Sequence, residues 1–408
     1  MAQAYVGGEV HTGTGEVFPE GTVLVQDGRI LAVGPADRVT VPAGWEVVEA
    51  HGRVVTPGLI DAHTHAGIWE EGVGEEGDDV NETTDPVTPH LRVIDGINPA
   101  DRAFADALTA GITTVFCTQG SANVLGGEGA TLRTWGRTVE EMVLKAPAGL
   151  KAALGENPKR IYGREKKRPA TRPGIAAIMR ESLVAGQNYL AKREKNAVER
   201  DLKMESIGRV LRGEIPLRLH AHRADDICTG LRIAEEFSLR LCLEHCTEGH
   251  LVAAELAARK IPAVVGPGLT ARVKVELRGK DLATAGILHR AGVKVAITTD
   301  HPVLPLEFLR LLAALTAGEG LEEEAALCAI TGHAAEICGV GDRVGTLEPG
   351  KEADLVVWDQ HPFRPAAKAA LVLVAGRPVA GSRAVGMPPG GKAGSPIGGR
   401  KPDGETFR

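Results

Sequence analysis

Short apolar runs alternate with amphipathic stretches through the middle of this chain. Ile112-Thr113-Thr114-Val115-Phe116-Cys117, Leu217-Arg218-Leu219-His220, Leu241-Cys242-Leu243-Glu244-His245 and Val295-Ala296-Ile297-Thr298-Thr299-Asp300 have the length and texture of buried strands. Between them, helical patterns over 229–237, 248–259 and 281–291 lead into strands over 239–245, 261–265 and 293–299. Asn98-Pro99-Ala100-Asp101 predicts a helix start, with a cap, a proline at the first position and an acid in the first turn. Gly111 ends that helix. Repeated strand–helix units predict a parallel sheet, and about eight of them close a (β/α)8 TIM-type barrel, an α/β fold.

The two ends of the chain have a different texture. Val23-Leu24-Val25-Gln26, the turn Asp27-Gly28 and Arg29-Ile30-Leu31-Ala32-Val33 predict a hairpin. A strand over 353–358 and a second hairpin, Leu371–Val374 with Arg377–Val379 across Ala375-Gly376, follow near the C-terminus. The expected organisation is therefore a small β-sandwich domain built from both termini (1–56 and 344–380) around a barrel (57–343). Residues 381–408, rich in Gly, Pro and basic residues, are expected to form a flexible tail. Residues 175–212 predict one long helix or a helical pair with a solvated charged face.

In a barrel of this kind, chemistry belongs at the C-terminal strand ends. His63-Thr64-His65 ends the apolar run that starts at Thr56-Pro57-Gly58-Leu59. Strand side chains alternate with period two, so these two imidazoles share one side and form half of a metal site. His220, His245 and Asp300 stand at the ends of later strands. A divalent metal, with zinc expected and one or two ions, would take His63, His65, His220, His245 and Asp300 as ligands. It would lower the pKa of a bound water to about 7. Asp300 is the expected catalytic base, accepting the water's proton and delivering it to a leaving nitrogen. His222, two residues past His220, is expected to contact substrate. His250 is expected to be structural, and His301 to point to the rim.

Composition narrows the partners. The formal net charge of −6 argues against general nucleic-acid binding. No long apolar run predicts a membrane span, and no signal core is seen at the N-terminus. The six cysteines sit in apolar segments and are expected to be reduced thiols. Cys242 and Cys246, which bracket His245, are not the expected zinc pair. The expectation is a cytoplasmic enzyme acting on a small molecule, with a homo-oligomer compatible with the composition.

These motifs together resemble the amidohydrolase superfamily of metal-dependent hydrolases. Pro57–His65 is similar to its first-strand signature, Gly111–Val115 to its second, and Gly345–Leu355 to its return into the β-domain. Within that superfamily the chain looks closest to the imidazolonepropionase-like group. The resemblance implies a (β/α)8 barrel with a terminal β-sandwich. It also implies hydrolysis of a carbon–nitrogen bond, usually in an amide or cyclic amide. It further implies one more ligand, a glutamate or a carboxylated lysine, and Gly149–Asn157 offers both Glu156 and Lys151. Glu156 is preferred, because Lys151 lies about 16 Å earlier along an extended strand. Alternatives on the same scaffold are a heterocycle deaminase, a dipeptidase, an N-acyl deacetylase or an inactive homologue. Deaminases of this kind carry a glutamate after the fifth strand, where His220-Ala221-His222-Arg223 has none. An inactive homologue would have lost ligands that this chain keeps.

Three further segments carry charge or glycine near the expected site. From Val54 to Leu91 there is no Lys or Arg, while Glu70, Glu71, Glu75, Glu76, Asp78, Asp79, Glu82 and Asp85 are present. A solvated loop is preferred over a lid that attracts cations. Gly120–Gly129 could bring backbone close to a ligand. Lys159–Arg172 is read as surface charge rather than an anion site.

Overall fold

The computed structural model describes residues 2–195 and 198–380; the expected tail, 381–408, lies outside the described residues. Five strands open the chain: β1 (Ala2–His11), β2 (Val17–Gln26), β3 (Arg29–Pro35), β4 (Glu46–Glu49) and β5 (Val54–Pro57). β2 and β3 pair as the predicted hairpin, with Gln26 opposite Arg29. Asp27 and Gly28 at its turn have φ of 50° and 81°, the backbone that twists with the strands. Eight strands follow: β6 (Leu59–Thr64), β7 (Ile112–Cys117), β8 (Leu125–Arg133), β9 (Val143–Ala153), β10 (Leu217–Ala221), β11 (Leu241–His245), β12 (Ala263–Val265) and β13 (Val295–Ile297). The last three are β14 (Leu355–Trp358), β15 (Ala369–Val374) and β16 (Arg377–Ala380).

Both ends of the chain meet in one sheet, ordered β16-β15-β14-β5-β1-β2-β3, with β4 also on β1. β14 runs antiparallel to β5, with Leu355 opposite Pro57. This sheet has its own core, including Tyr5, Val25, Ile30, Val55, Leu355 and Leu373.

The second sheet runs in sequence order from β6 to β13. Its pairings are parallel except at β8, which is antiparallel to both β7 and β9. The alternating pattern did not foretell this reversal. Residues 118–124 are too few for the helical crossover that a parallel neighbour needs, so the chain turns straight back. The barrel is drawn shut by a side chain. Asp61 of β6 accepts from the Thr299 backbone N–H (3.0 Å) and hydroxyl (2.6 Å), just past β13. The Thr298 hydroxyl lies 2.6 Å from both the Asp61 carboxylate and the His63 carbonyl. Burial pushes the Asp61 pKa up to about 6.

Helix boundaries moved where the local chemistry differed from the pattern. The first barrel helix is Arg102–Thr109, and its cap is Asp101 rather than Asn98. Asn98 instead closes a local turn onto the Ala100 N–H (3.0 Å). Asp101 also accepts from the backbone of Gly67 (2.8 Å) and Glu71 (3.1 Å), fixing the loop after His65. The stretch 248–259 divides into a short 3-10 turn, Gly249–Val252, and a helix, Ala253–Ala258. In place of the stretch 175–212 stand two helices, Arg172–Glu194 and Leu202–Leu211.

The two sheets are locked together at Trp358. This ring is fully buried, donates from Nε1 to Thr56 Oγ1 (2.9 Å), and covers Gly111. Gly111 has φ of +82°, and a Cβ there would lie 2.7 Å from Trp358 Cη2. Left-handed backbone strain and overpacking act together, so Gly111→Ala is expected to lower unfolding free energy by about 2–4 kcal/mol. A denaturant midpoint within error of wild type would contradict this packing.

Candidate metal centre

The C-terminal ends of β6, β10 and β11 bring five imidazoles into a row, and the chain just past β13 brings Asp300 against it. Ring centroids are 5.4 Å apart for His65 and His63, 4.9 Å for His63 and His245, 4.6 Å for His245 and His220, and 4.6 Å for His220 and His222. Asp300 faces the first part of the row. Its Oδ1 lies 3.5 Å from His63 Nε2 and 3.4 Å from His65 Nε2, and its Oδ2 lies 3.8 Å from His245 Nδ1. The backbone is strained at two of these positions: His245 has φ of 66° and Asp300 has φ of 54°. Such left-handed non-glycine residues persist only where packing holds them, often at functional sites.

The imidazoles are oriented from behind. The Nδ1 of His65 lies 2.7 Å from the Thr118 carbonyl, and that of His245 lies 3.0 Å from the Gly266 carbonyl. A carbonyl accepts only, so each Nδ1 carries the proton and each Nε2 keeps a lone pair for an electrophile. His63 Nδ1 lies 2.8 Å from Glu244 Oε2. Glu244 is in turn bonded by Arg218 Nε, and the Arg218 guanidinium sits 4.0 Å over the Phe116 ring. His63, Glu244 and Arg218 are all fully buried. Burial drives the pKa values of His63, His220 and His245 well below the usual imidazole range. Burial acts in the opposite direction on Asp300, but facing His245, His65 and Lys151 keep it below the ordinary carboxylate range. Neutral imidazoles beside an ionised carboxylate are the donor set that suits a divalent metal.

The five histidines do not gather at one point. His63, His245 and Asp300 have ligand atoms within 4.8 Å of one another, as do His220, His222 and Glu276. His65 joins the first group through Asp300. His220 falls in the second of these sets, while its ring centroid lies 4.6 Å from that of His245 in the first, on the neighbouring strand.

Glu156 is not at either cluster. It opens the helix Glu156–Arg164, donates from its backbone N–H to Glu276 Oε2 (2.9 Å), and turns its own carboxylate to the Glu276 N–H (3.4 Å). Lys151, set aside as too deep, reaches the site instead: its Nζ lies 3.4 Å from His63 Nε2. The strand ends at Ala153 and the chain breaks away at Gly155, φ +87°. Lys151 is therefore near the top of the barrel, and its long side chain covers the remaining distance. Gly126 on β8 leaves room for it, since a Cβ there would stand 3.2 Å from the Lys151 stem. Desolvation lowers the Lys151 pKa to about 8 against the pull of Glu244 and Asp300.

His250 bonds Thr284 Oγ1 (3.0 Å) away from the row. His301 is buried, packs edge-on to Trp69, and leaves both ring nitrogens unpartnered. Neither metal-capable group among the described residues includes a cysteine. Glu75, Glu76, Asp78, Asp79 and Glu82 are exposed on the acidic loop. In the basic stretch, Arg172 is paired with Asp226 (3.0 Å) and Arg168 with Glu181 (3.0 Å). Glu276, Glu244 and Arg218 were not anticipated. Charged residues inside the apolar strands at 218 and 244 were a usable signal; Glu276, in a loop with no motif, offered none.

A buried histidine–carboxylate row at the C-terminal mouth of a barrel, with a β-domain from both termini, defines an amidohydrolase-type enzyme. The Amidohydrolase family model matches residues 54–382, and the chain belongs to that family. It is 44% identical to an amidohydrolase from Thermotoga maritima MSB8, with a TM-score of 0.89 over 92% of this chain and 99% of that one. It is 27% identical to an imidazolonepropionase of Rhizobium rhizogenes, over 84% of this chain and 88% of that protein. It is 30% identical to the amidohydrolase tasK of Hapsidospora irregularis, over 87% of this chain but only 39% of that longer protein. No helix among the described residues is long and apolar enough to cross a membrane.

Removing the cation behind the site leaves Glu244 charged and unpaired in a dry interior. Arg218→Met is therefore expected to destabilise the fold by about 3–5 kcal/mol. A thermal or denaturant midpoint equal to wild type would mean the pair is not needed.

Proposed function

We propose that this protein is a divalent-metal-dependent hydrolase of a carbon–nitrogen bond in a small molecule, a non-peptide amide or cyclic amide. The observation that carries the reading is the group of His63, His65, His245 and Asp300 at the barrel mouth, with His65 and His245 braced by backbone carbonyls and His63 by Glu244. The names of the amidohydrolase and imidazolonepropionase relatives support it. His63, His65, His245 and Asp300 would hold the metal, and zinc suits neutral imidazoles with one carboxylate. When bound, such a metal polarises the scissile carbonyl and makes water acidic near neutral pH.

Asp300 does the proton work. Its depressed pKa keeps it ionised at neutral pH, so it can accept a proton from the attacking water. The oxygen adds to the carbonyl carbon, the carbon–nitrogen bond breaks, and Asp300 returns the proton to the departing nitrogen. The backbone that holds it in the left-handed region fixes where that proton is taken and given. Asp300→Asn is expected to keep the fold and lower turnover by about 10²–10⁴-fold on a panel of lactams and cyclic imides. Near-normal turnover would remove Asp300 from the mechanism. Absence of hydrolysis across amide, lactam and imide substrates by metal-loaded wild type would overturn the activity.

Lys151, rather than Glu156, is the additional ligand in this reading. Its neutral amine would take up carbon dioxide, forming a carbamate and releasing one proton, and so present two oxygens beside His63. Its burial and its 3.4 Å approach to His63 Nε2 support this. Glu156→Gln is expected to leave metal content unchanged, while metal uptake by apo wild type falls in bicarbonate-free buffer. Metal loss in Glu156→Gln with no bicarbonate effect would restore Glu156.

A further inference from the structure

His11 ends β1 where the terminal β-domain meets the barrel, and both of its ring nitrogens face carboxylates. Nδ1 lies 2.7 Å from Glu324 Oε2, and Nε2 lies 2.8 Å from Glu9 Oε1. An ionised carboxylate only accepts, so each nitrogen must donate, and only the imidazolium carries two N–H groups. The residue is 5% exposed. Glu324 stands on the barrel helix Glu323–Cys328. Its Oε1 is buried without a hydrogen-bond partner, and His11 is its only ion-pair partner among the described residues. Glu9 is half exposed, so water screens its share.

The helix that carries Glu324 runs straight into the seam of the barrel. β6 and β13 are the two ends of the second sheet's order and share no ladder. The Ala329 carbonyl accepts the Ile297 N–H of β13 (3.1 Å), and the Ile330 carbonyl accepts the Ile60 N–H of β6 (2.8 Å). Each of these bonds lies one residue before a partner in the Asp61–Thr298 contact. The segment just past the helix that His11 holds is thus laid between the first and last barrel strands. The other titratable groups around His11 do not replace it. The His361 ring packs edge-on at 5.3 Å, its Nδ1 accepting the Phe363 N–H (3.3 Å) and lying 3.4 Å from Glu323 Oε1. Burial lowers the His361 pKa against the pull of Glu323, and His11 lowers it further, so that ring stays neutral. Cys328 stays a thiol, because burial and Glu324 raise its pKa to about 11. For His11 itself burial favours the neutral ring, but Glu324 and Glu9 outweigh it and raise the pKa above the ordinary imidazole value.

We propose that His11 is a protonated latch between the terminal β-domain and the seam of the barrel, and that it releases as pH rises. The device needs neither metal nor substrate. The unfolded ring titrates near about 6.5 and the folded one higher. The stabilisation is therefore complete below about pH 6.5 and is lost as pH rises through the folded value. Deprotonation leaves one N–H between two acceptors, so one carboxylate loses its bond. The Glu324 contact is the one that spans the two domains, and the 329–330 segment loosens with it.

Full-length wild type is to be compared with Glu324→Gln and His11→Gln. In Glu324→Gln the amide N–H₂ can donate to a neutral Nδ1 while Nε2–H still donates to Glu9, so the tie no longer needs the second proton. Groups elsewhere titrate alike in all three proteins, so the differences isolate His11. Between about pH 6 and about pH 9 the wild-type thermal midpoint is expected to fall by about 2–4 °C more than that of either variant. Hydrogen exchange, corrected for the intrinsic rate, should quicken about 10–100-fold in wild-type peptides containing Ile60 and Ile297 over the same range, and not in Glu324→Gln. A nitrogen NMR spectrum of histidine-labelled wild type should show one ring, missing from His11→Gln, that is doubly protonated at about pH 7. Glu324→Gln carries the comparison if His11→Gln does not fold. A wild-type midpoint that tracks Glu324→Gln, seam peptides whose exchange ignores pH in wild type, or a His11 ring already neutral at about pH 6 would each overturn the latch.

Discussion

The Glu244 carboxylate, shared between Arg218 and His63 inside the barrel, is the interaction on which the centre depends. One oxygen neutralises a guanidinium that has no access to water; the other aims an imidazole. Breaking either contact leaves a charge in a medium that cannot solvate it. The pair therefore couples the packing of the barrel to the tautomer of a prospective ligand. Arg218 adds a third tie, donating to the Ala62 and Ile337 carbonyls (2.7 and 3.1 Å). The backbone just before His63 is thus fixed by the residue that charges its partner.

Above this layer the barrel changes character over a few ångströms. Apolar side chains fill its lower part, then come Arg218, Glu244 and Lys151, then the row of histidines with two carboxylates. The neutral state of the rings is set by burial, while the ionised state of Asp300 is set by the groups facing it. The same low-dielectric wall has opposite effects on acid and base, and a divalent ion needs both outcomes at once.

The sequence carried most of the barrel, because apolar runs and glycine stops are local signals. His63, His65, His220, His245 and Asp300 were legible as strand-end residues. Which of them meet was not, because partition into two groups depends on position around the sheet. Lys151 was misjudged for a related reason: the distance argument assumed that β9 ran on to residue 156, whereas it ends at Ala153. The reversal at β8 was missed because periodicity gives a strand but not its direction. Glu276 could not be found from sequence, since only the fold sets that loop against His220 and His222.

The seam at Asp61 also bears on how the protein is assembled. Asp61 and Thr298 are 237 positions apart, yet their contact joins the first barrel strand to the last. Closing so long a loop costs entropy that no earlier contact in the ring returns. A nascent chain that has emerged only through β12 already carries all five histidines of the row but lacks Asp300 and the two threonines that close the ring. The active centre is therefore completed late in synthesis, and a truncated product would be an open sheet with its histidines misaligned rather than a partly active enzyme.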